Sequence, residues 1–155
     1  MTGDLSKFEE YLETARIPLR LACKTESGWP MALSLWFQYQ DGKLYCATQK
    51  SARVVAYLKN EPRCAFEIAA DQPPYCGVRG QAVASMDESI GVEILEKLLK
   101  RYLGDTDNLL SHTLLAKSDQ EVAIILEPVN IFRWDFSTRM QEIDFPETIV
   151  TKVCP

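Results

Sequence analysis

The chain has 155 residues, 46% of them hydrophobic and 25% charged, with a net charge of −5. That length suits a single domain with a sizeable core, and the acidic balance excludes a general nucleic-acid binder, which needs a basic face. The apolar runs are too short to cross a bilayer as a helix, so neither nucleic acid nor membrane is an expected partner. The five cysteines, Cys23, Cys46, Cys64, Cys76 and Cys154, lack C-x-x-C spacing, which argues against a disulfide framework and a zinc site; no metal site is expected. The N-terminus is polar and acidic rather than a signal peptide, so a reducing cytoplasm is the expected compartment.

In chain order, Ser6-Lys7-Phe8-Glu9 has the form of a capping box. Leu5, Phe8, Leu12 and Ala15 recur at helical spacing behind it, which predicts a helix to about Arg16, stopped by Pro18. From Leu19 the period becomes two: Leu19, Leu21 and Cys23 alternate with Arg20, Ala22 and Lys24. Ser27-Gly28 is a turn, and a second strand is predicted over Met31 to Gln38. Asp41-Gly42 signals a hairpin into a third strand, Leu44 to Thr48. A short helix is predicted over Ser51 to Lys59, ended by Asn60-Glu61-Pro62.

Strands follow over Arg63 to Ala70 and, after Asp71-Gln72-Pro73-Pro74, over Tyr75 to Met86. Cys76, just past that turn, is expected to be more exposed than the other thiols. The longest helix is predicted over Asp87 to Leu103, with an apolar stripe of Ile90, Ile94, Leu95, Leu98, Leu99 and Tyr102. A short helix over Leu109 to Lys117 precedes two last strands, Glu121 to Glu127 and Asn130 to Phe136, broken at Pro128. Tight turns between consecutive strands imply antiparallel pairing. About seven short strands with a few helices imply an α+β, mainly β, closed or partly closed barrel with helices at its ends. One domain is expected over residues 1–137, with a weakly patterned tail over 138–155.

The most informative stretch is Thr48-Gln49-Lys50-Ser51-Ala52-Arg53, where a strand ends in hydroxyls and cations and a helix begins. The first amides of a helix have no partner within it and sit at the positive end of its dipole, so such a corner can hold a phosphate. Ser51 is the expected cap, and Lys50 and Arg53 supply the neutralising charge. The chain carries no G-x-S-x-G, P-loop or G-x-G-x-x-G motif. His112, the one histidine, lies in a Leu-rich stretch away from this corner. Chemistry carried by a bound cofactor fits that lack of acid–base residues; no catalytic side chain is identified.

Four stretches, in order, resemble the FMN-binding split-barrel family related to pyridoxamine 5′-phosphate oxidase. They are Trp29-Pro30 with Leu33-Ser34-Leu35-Trp36-Phe37, running through Asp41-Gly42-Lys43-Leu44-Tyr45 into Ala47-Thr48; then Ser51-Ala52-Arg53 with Asn60-Glu61-Pro62-Arg63; then Tyr75-Cys76-Gly77-Val78-Arg79-Gly80-Gln81-Ala82; and Glu127-Pro128 with Phe132-Arg133-Trp134-Asp135. The family often has Lys where this chain has Arg53, a swap that keeps the charge. The resemblance implies an antiparallel split β-barrel forming a homodimer, with FMN held at the interface. Thr48, Lys50, Ser51 and Arg53 would line its phosphate, and Ser34, Leu35 and Trp36 would lie along the ring. Trp134 would come from the other subunit or shield the ring.

The implied activity is an oxidoreductase acting on a small-molecule substrate. The alternatives are a deazaflavin- or haem-binding relative, a non-catalytic flavin binder with the ring face blocked by Trp36 or Trp134, or an interaction module. Oxidation of vitamin B6 is disfavoured, because only Arg133 and Arg139 stand near the last matched strand to hold a substrate phosphate.

Overall fold

The computed structural model describes residues 4–140. The chain opens on a 3-10 turn, Leu5–Phe8, that runs into α1, Glu9–Thr14. The cap is Asp4, not the expected Ser6: its carboxylate accepts from the Ser6 amide at 3.0 Å and from the Ser6 hydroxyl at 2.5 Å. The strands are β1, Leu19–Lys24; β2, Pro30–Leu35; β3, Gln38–Gln40; and β4, Lys43–Gln49. After α2, Arg53–Asn60, come β5, Arg63–Ala69, and β6, Cys76–Asp87. Then follow α3, Gly91–Leu103; α4, Leu109–Leu115; and β7, Glu121–Asp135. The expected tail is described only as far as a 3-10 turn, Ser137–Met140; the rest of it, with Cys154, lies outside the described residues.

All seven strands form one antiparallel sheet in the order β2-β1-β5-β6-β7-β4-β3. Its two edge strands, β2 and β3, are separated in sequence only by Trp36 and Phe37. The sheet therefore curls until its edges meet in one bent segment of chain. This is the expected split barrel, and the strand expected over Met31 to Gln38 is broken at the bend. Asp41 (φ 49°) and Gly42 (φ 77°) supply the two positive φ values of a type I′ hairpin between β3 and β4.

The two strands expected at the end of the chain are one. Pro128 does not break β7, because the strand absorbs it in a bulge: Gln81 faces Asn130 while Ala82 faces Pro128, so Val129 has no opposite number. The longest helix starts at Gly91 rather than Asp87, since β6 runs to Asp87. A Cβ at Gly91 would lie 2.5 Å from the Glu121 carbonyl oxygen, so glycine lets α3 start directly against β7.

The period-two pattern fills the barrel. Leu19, Leu21, Leu44, Ile68, Val78, Ile124 and Leu126 are all fully buried. Val54, Val55 and Leu58 of α2 join the same core and close one end. A smaller cluster outside the barrel packs Ile94 and Leu98 of α3 over Ala123, beside Trp36, Tyr45 and Ala47. Cys76 is not the exposed thiol that its turn suggested: it is buried and disulfide-bonded. No helix among the described residues is long and apolar enough to cross a membrane.

Gly80 sits where β6 presses on the barrel interior. A Cβ there would meet the Asn130 carbonyl oxygen and lie 2.8 Å from the Phe66 ring. Gly80→Ala should therefore cost about 1–3 kcal/mol through overpacking, read as a lower midpoint in urea with an unchanged slope.

Candidate functional site

The bend at Trp36-Phe37 opens the barrel. The β3–β4 ladder pairs Gln40 with Lys43, Tyr39 with Leu44 and Gln38 with Tyr45, and then stops. Continued in register, it would set Trp36 against Ala47 and Leu35 against Thr48. The chain instead swings away, and β2 pairs only with β1, Leu35 against Leu19 and Ser34 against Arg20. A split is left with two lips: the free edge of β2 up to Trp36, and the end of β4 up to Gln49.

The strand-to-helix corner expected to hold a phosphate lies at the end of the β4 lip. Thr48 and Lys50 are half-buried, and Ser51 and Arg53 are exposed. The corner is held through its backbone: the Lys50 amide donates to the Gln120 carbonyl at 2.7 Å and the Ala52 amide to that of Gln49 at 2.9 Å. The cap of α2 is Ala52, in extended conformation, not the expected Ser51, and no side chain accepts from the first amides. The turn is one residue longer than the sequence suggested. Those amides and the Ser51 hydroxyl remain available to an anion.

The cations differ. Lys50 Nζ lies 3.1 Å from Glu88 Oε2, whereas Arg53 pairs with no carboxylate among the described residues. Among the described residues, Arg53 is the cation of the corner without a carboxylate partner.

On the other lip, Ser34 points outward and Leu35 packs into the core. Trp36 is not free to cover the split: its ring stacks on Tyr102 of α3, centroids 5.0 Å apart and 8° from parallel. Tyr102 also donates from its hydroxyl to the Ile17 carbonyl at 3.0 Å and accepts from the Phe37 amide at 3.3 Å.

Trp134 is elsewhere. It faces Gly77 on β7, whereas Thr48 faces Val122, twelve residues earlier on the same strand. Across the sheet, the row Ser34, Arg20, Glu67, Arg79, Phe132 sets that end of β7 four strands, about 19 Å, from the β2 lip, so the Trp134 ring does not line the split of its own chain. Its ring lies 5.4 Å from Phe136, and its buried Nε1 has no hydrogen-bond partner among the described residues.

No family model matches the sequence, and no curated protein matches it closely enough to count as a relative. Solved structures do match. An F420 reductase aligns over 79% of this chain and 94% of its own, at TM-score 0.68 and 18% identity. A provisionally named pyridoxamine 5′-phosphate oxidase from Listeria innocua aligns over 83% and 95%, at TM-score 0.63 and 22% identity. The haem storage protein HutZ from Vibrio cholerae aligns over 83% and 94%, at TM-score 0.63 and 17% identity. The fold is the pyridoxamine 5′-phosphate oxidase-like split barrel.

In this split barrel two carboxylates stand beside the strand-to-helix corner, and neither stood out in the sequence. Glu88 follows β6 and is brought to Lys50 by register, since Asp87 pairs with Ala123 of β7 and Ala123 with Ala47 of β4. Glu121 opens β7, faces Gln49 across the ladder and is 5% exposed. Burial pushes the Glu121 carboxyl above the ordinary carboxylate range. The one hint in the sequence is a glutamate inside the apolar run that begins β7. His112 stands apart on α4, 3.2 Å from Asp107 in an exposed pair.

The Glu121 shift fixes the sign of a pH effect. A carboxyl whose pKa is raised by folding favours the native state when protonated, and that contribution is lost as pH rises through the folded value. Glu121→Gln should therefore raise the melting temperature at pH 7 and leave it unchanged at a pH below the ordinary carboxylate range, as differential scanning calorimetry would show.

Proposed function

We propose that this protein is an FMN-binding oxidoreductase of the split-barrel type, acting on a small molecule as a homodimer. The observation that carries the reading is the placement of unpaired Arg53, beside uncapped α2 amides, at the end of one lip of the split. A phosphate monoester suits that corner: a guanidinium meets phosphate with paired donors, and the helix amides add their dipole. Lys50 adds a second positive charge once it leaves Glu88.

Thr48 stands just before the corner on the same lip, where its hydroxyl can join the phosphate or the ribityl chain. The backbone edge of Ser34 and Leu35 faces it across the split and offers amides and carbonyls to the polar rim of a flat ring. FMN, when bound, supplies hydride and electron transfer, so the chain need only bind, orient and exclude water. The absence of an acid–base cluster from the motifs is then no obstacle.

The homodimer belongs to this proposal because Trp134 does not line its own split, and a second copy could bring its Trp134 to it. The stacking of Trp36 on Tyr102 supports a catalytic role over a blocked flavin, since that ring is engaged elsewhere. Deazaflavin is the second reading, favoured by the likeness to an F420 reductase; its phosphate would use the same corner. Haem storage is named for another similar structure, but His112, the chain's one imidazole, is on α4 and engaged with Asp107. A cytoplasmic location is part of the same proposal, on the ground of the free thiols Cys23, Cys46 and Cys64, although Cys76 is disulfide-bonded.

Purified protein mixed with excess FMN and desalted should keep flavin absorbance, and Arg53→Glu should lose it with unchanged circular dichroism. Full retention by the variant would overturn the phosphate assignment. Retention of deazaflavin but not FMN would select the second reading. Light scattering should give a dimer; a monomer at micromolar concentration would defeat the shared site.

A further inference from the structure

The cysteines divide into two sets. Cys23, Cys46 and Cys64 are free thiols buried in the barrel core. Burial pushes the Cys46 and Cys64 thiols up to about 12 and raises that of Cys23 as well. None of the three offers a thiolate for exchange at neutral pH. Cys76 is disulfide-bonded. The chain has five cysteines, which leaves Cys154 as the one cysteine of the chain to which Cys76 can be joined.

Position makes that bridge a tether. Cys76 opens β6, is 2% exposed, and faces Asp135 at the end of β7. The next pair along the same ladder is Gly77 with Trp134. The chain beyond β7 stays at this end. The Phe136 amide donates to the Tyr75 carbonyl at 2.9 Å, and the Ser137 amide to Asp135 Oδ1 at 2.8 Å. The Arg139 amide donates to the Phe136 carbonyl at 3.0 Å, with its guanidinium 5.3 Å from the centre of the Phe136 ring. The segment that carries Cys154 therefore sets out from beside Cys76. A bridge back to Cys76 closes a loop of about twenty residues, short enough for a modest entropic cost.

The other thiols indicate what such a bridge is for. A small secreted domain oxidises its cysteines together to staple a poor core. This chain buries a continuous core, keeps three thiols reduced within it, and oxidises one cysteine at its margin. A single disulfide among free thiols is the pattern of a redox-responsive bond in a reducing compartment.

We propose that Cys76 and Cys154 form a thiol-responsive tether, which fastens the C-terminal segment, residues 141–155, to the Trp134 end of the barrel and releases it on reduction. The chemistry is two exchanges with a small thiol such as glutathione. Because Cys76 is buried, the glutathione thiolate attacks the Cys154 sulfur. The S–S bond breaks, and Cys76 leaves as a thiolate that takes up a proton. A second glutathione thiolate attacks the glutathione sulfur of the mixed disulfide, and Cys154 leaves and is protonated in turn. The protein gains two electrons and two protons, and two glutathiones become one glutathione disulfide. In the proposed homodimer the Trp134 end meets the partner's split, so the tether would stand at the shared site. That consequence rests on the flavin reading; the tether itself does not.

The test begins with peptide mapping by mass spectrometry without reductant. Chymotryptic cleavage after Phe66 and Tyr75 separates Cys64 from Cys76. The Cys76 peptide should be joined to the Cys154 peptide, in protein that runs as a single chain on a non-reducing gel. A glutathione buffer of cytosolic poise should open the bridge in the native protein. Alkylation should then label Cys154 and leave the three core thiols unlabelled. Opening should also speed cleavage at Glu142 and Glu147 by a glutamate-specific protease at least about tenfold, with unchanged circular dichroism. Cys154→Ser should be cut at the reduced rate with or without glutathione. Cys154 found as a free thiol, Cys76 joined to another chain, a native bridge that resists glutathione, or a cleavage rate unaltered by reduction would each overturn the proposal. None of these readouts involves flavin. A bridge that opens as described in protein that retains no FMN leaves the tether standing and defeats the flavin reading.

Discussion

One bent segment of chain serves as both edges of the sheet, and the rest of the structure depends on it. An open seven-stranded sheet would leave two rows of unpaired backbone groups for other chains to add to. Here β2 and β3 are those edges and are joined through Trp36 and Phe37. Closing the ring this way removes most of the exposed edge. It also forces a gap, because one segment cannot pair with β1 and with the whole of β4. The gap is the split, and its place is set by where the β3–β4 ladder gives out.

The bend needs support, and α3 supplies it. Tyr102 stacks on Trp36 and bonds to backbone groups at Ile17, just before β1, and at Phe37, in the bend. Next to it, Arg101 donates to the carbonyls of Leu12, Glu13 and Ala15 at the end of α1. These are carbonyls that a helix leaves unsatisfied, at the negative end of its dipole. The guanidinium also lies 5.1 Å from the centre of the buried Phe37 ring, and its buried Nε has no hydrogen-bond partner among the described residues. Burial holds its pKa below the usual arginine value. Two adjacent residues of one helix thus fix α1, β1 and the bend relative to one another, and the lips of the split inherit that rigidity.

The electrostatics of the corner follow from the same packing. A chain of net charge −5 offers an anion little general attraction, so the site must supply its own. For the proposed phosphate, that attraction would come from local cations and oriented amides. Glu88 engages Lys50, leaving Arg53 as the charge that needs no prior partner to be displaced. An exposed ion pair of this kind contributes about 0–1 kcal/mol, little enough for a phosphate to displace Glu88 from Lys50.

By itself the sequence determined the alternation that puts Leu19, Leu21, Leu44 and Cys46 inside the barrel, the Asp41-Gly42 hairpin, and the strand-to-helix corner with its cations. These are local: period, turn chemistry and helix starts act over a few residues. It misplaced the caps, reading Ser51 for Ala52 and Ser6 for Asp4, because a hydroxyl at a helix start looks the same whether or not the backbone turns there. It cut β7 at Pro128, because a bulge that accommodates proline depends on the partner strand, here at Gln81 and Ala82. Only the tertiary structure decided that Trp36 belongs to Tyr102, that Glu88 and Glu121 stand at the corner, that Trp134 stands four strands from the β2 lip, and that Arg20, Glu67, Arg79 and Phe132 share one row. Each of these joins residues far apart in the chain, and register between strands, which no single segment encodes, is what brings them together.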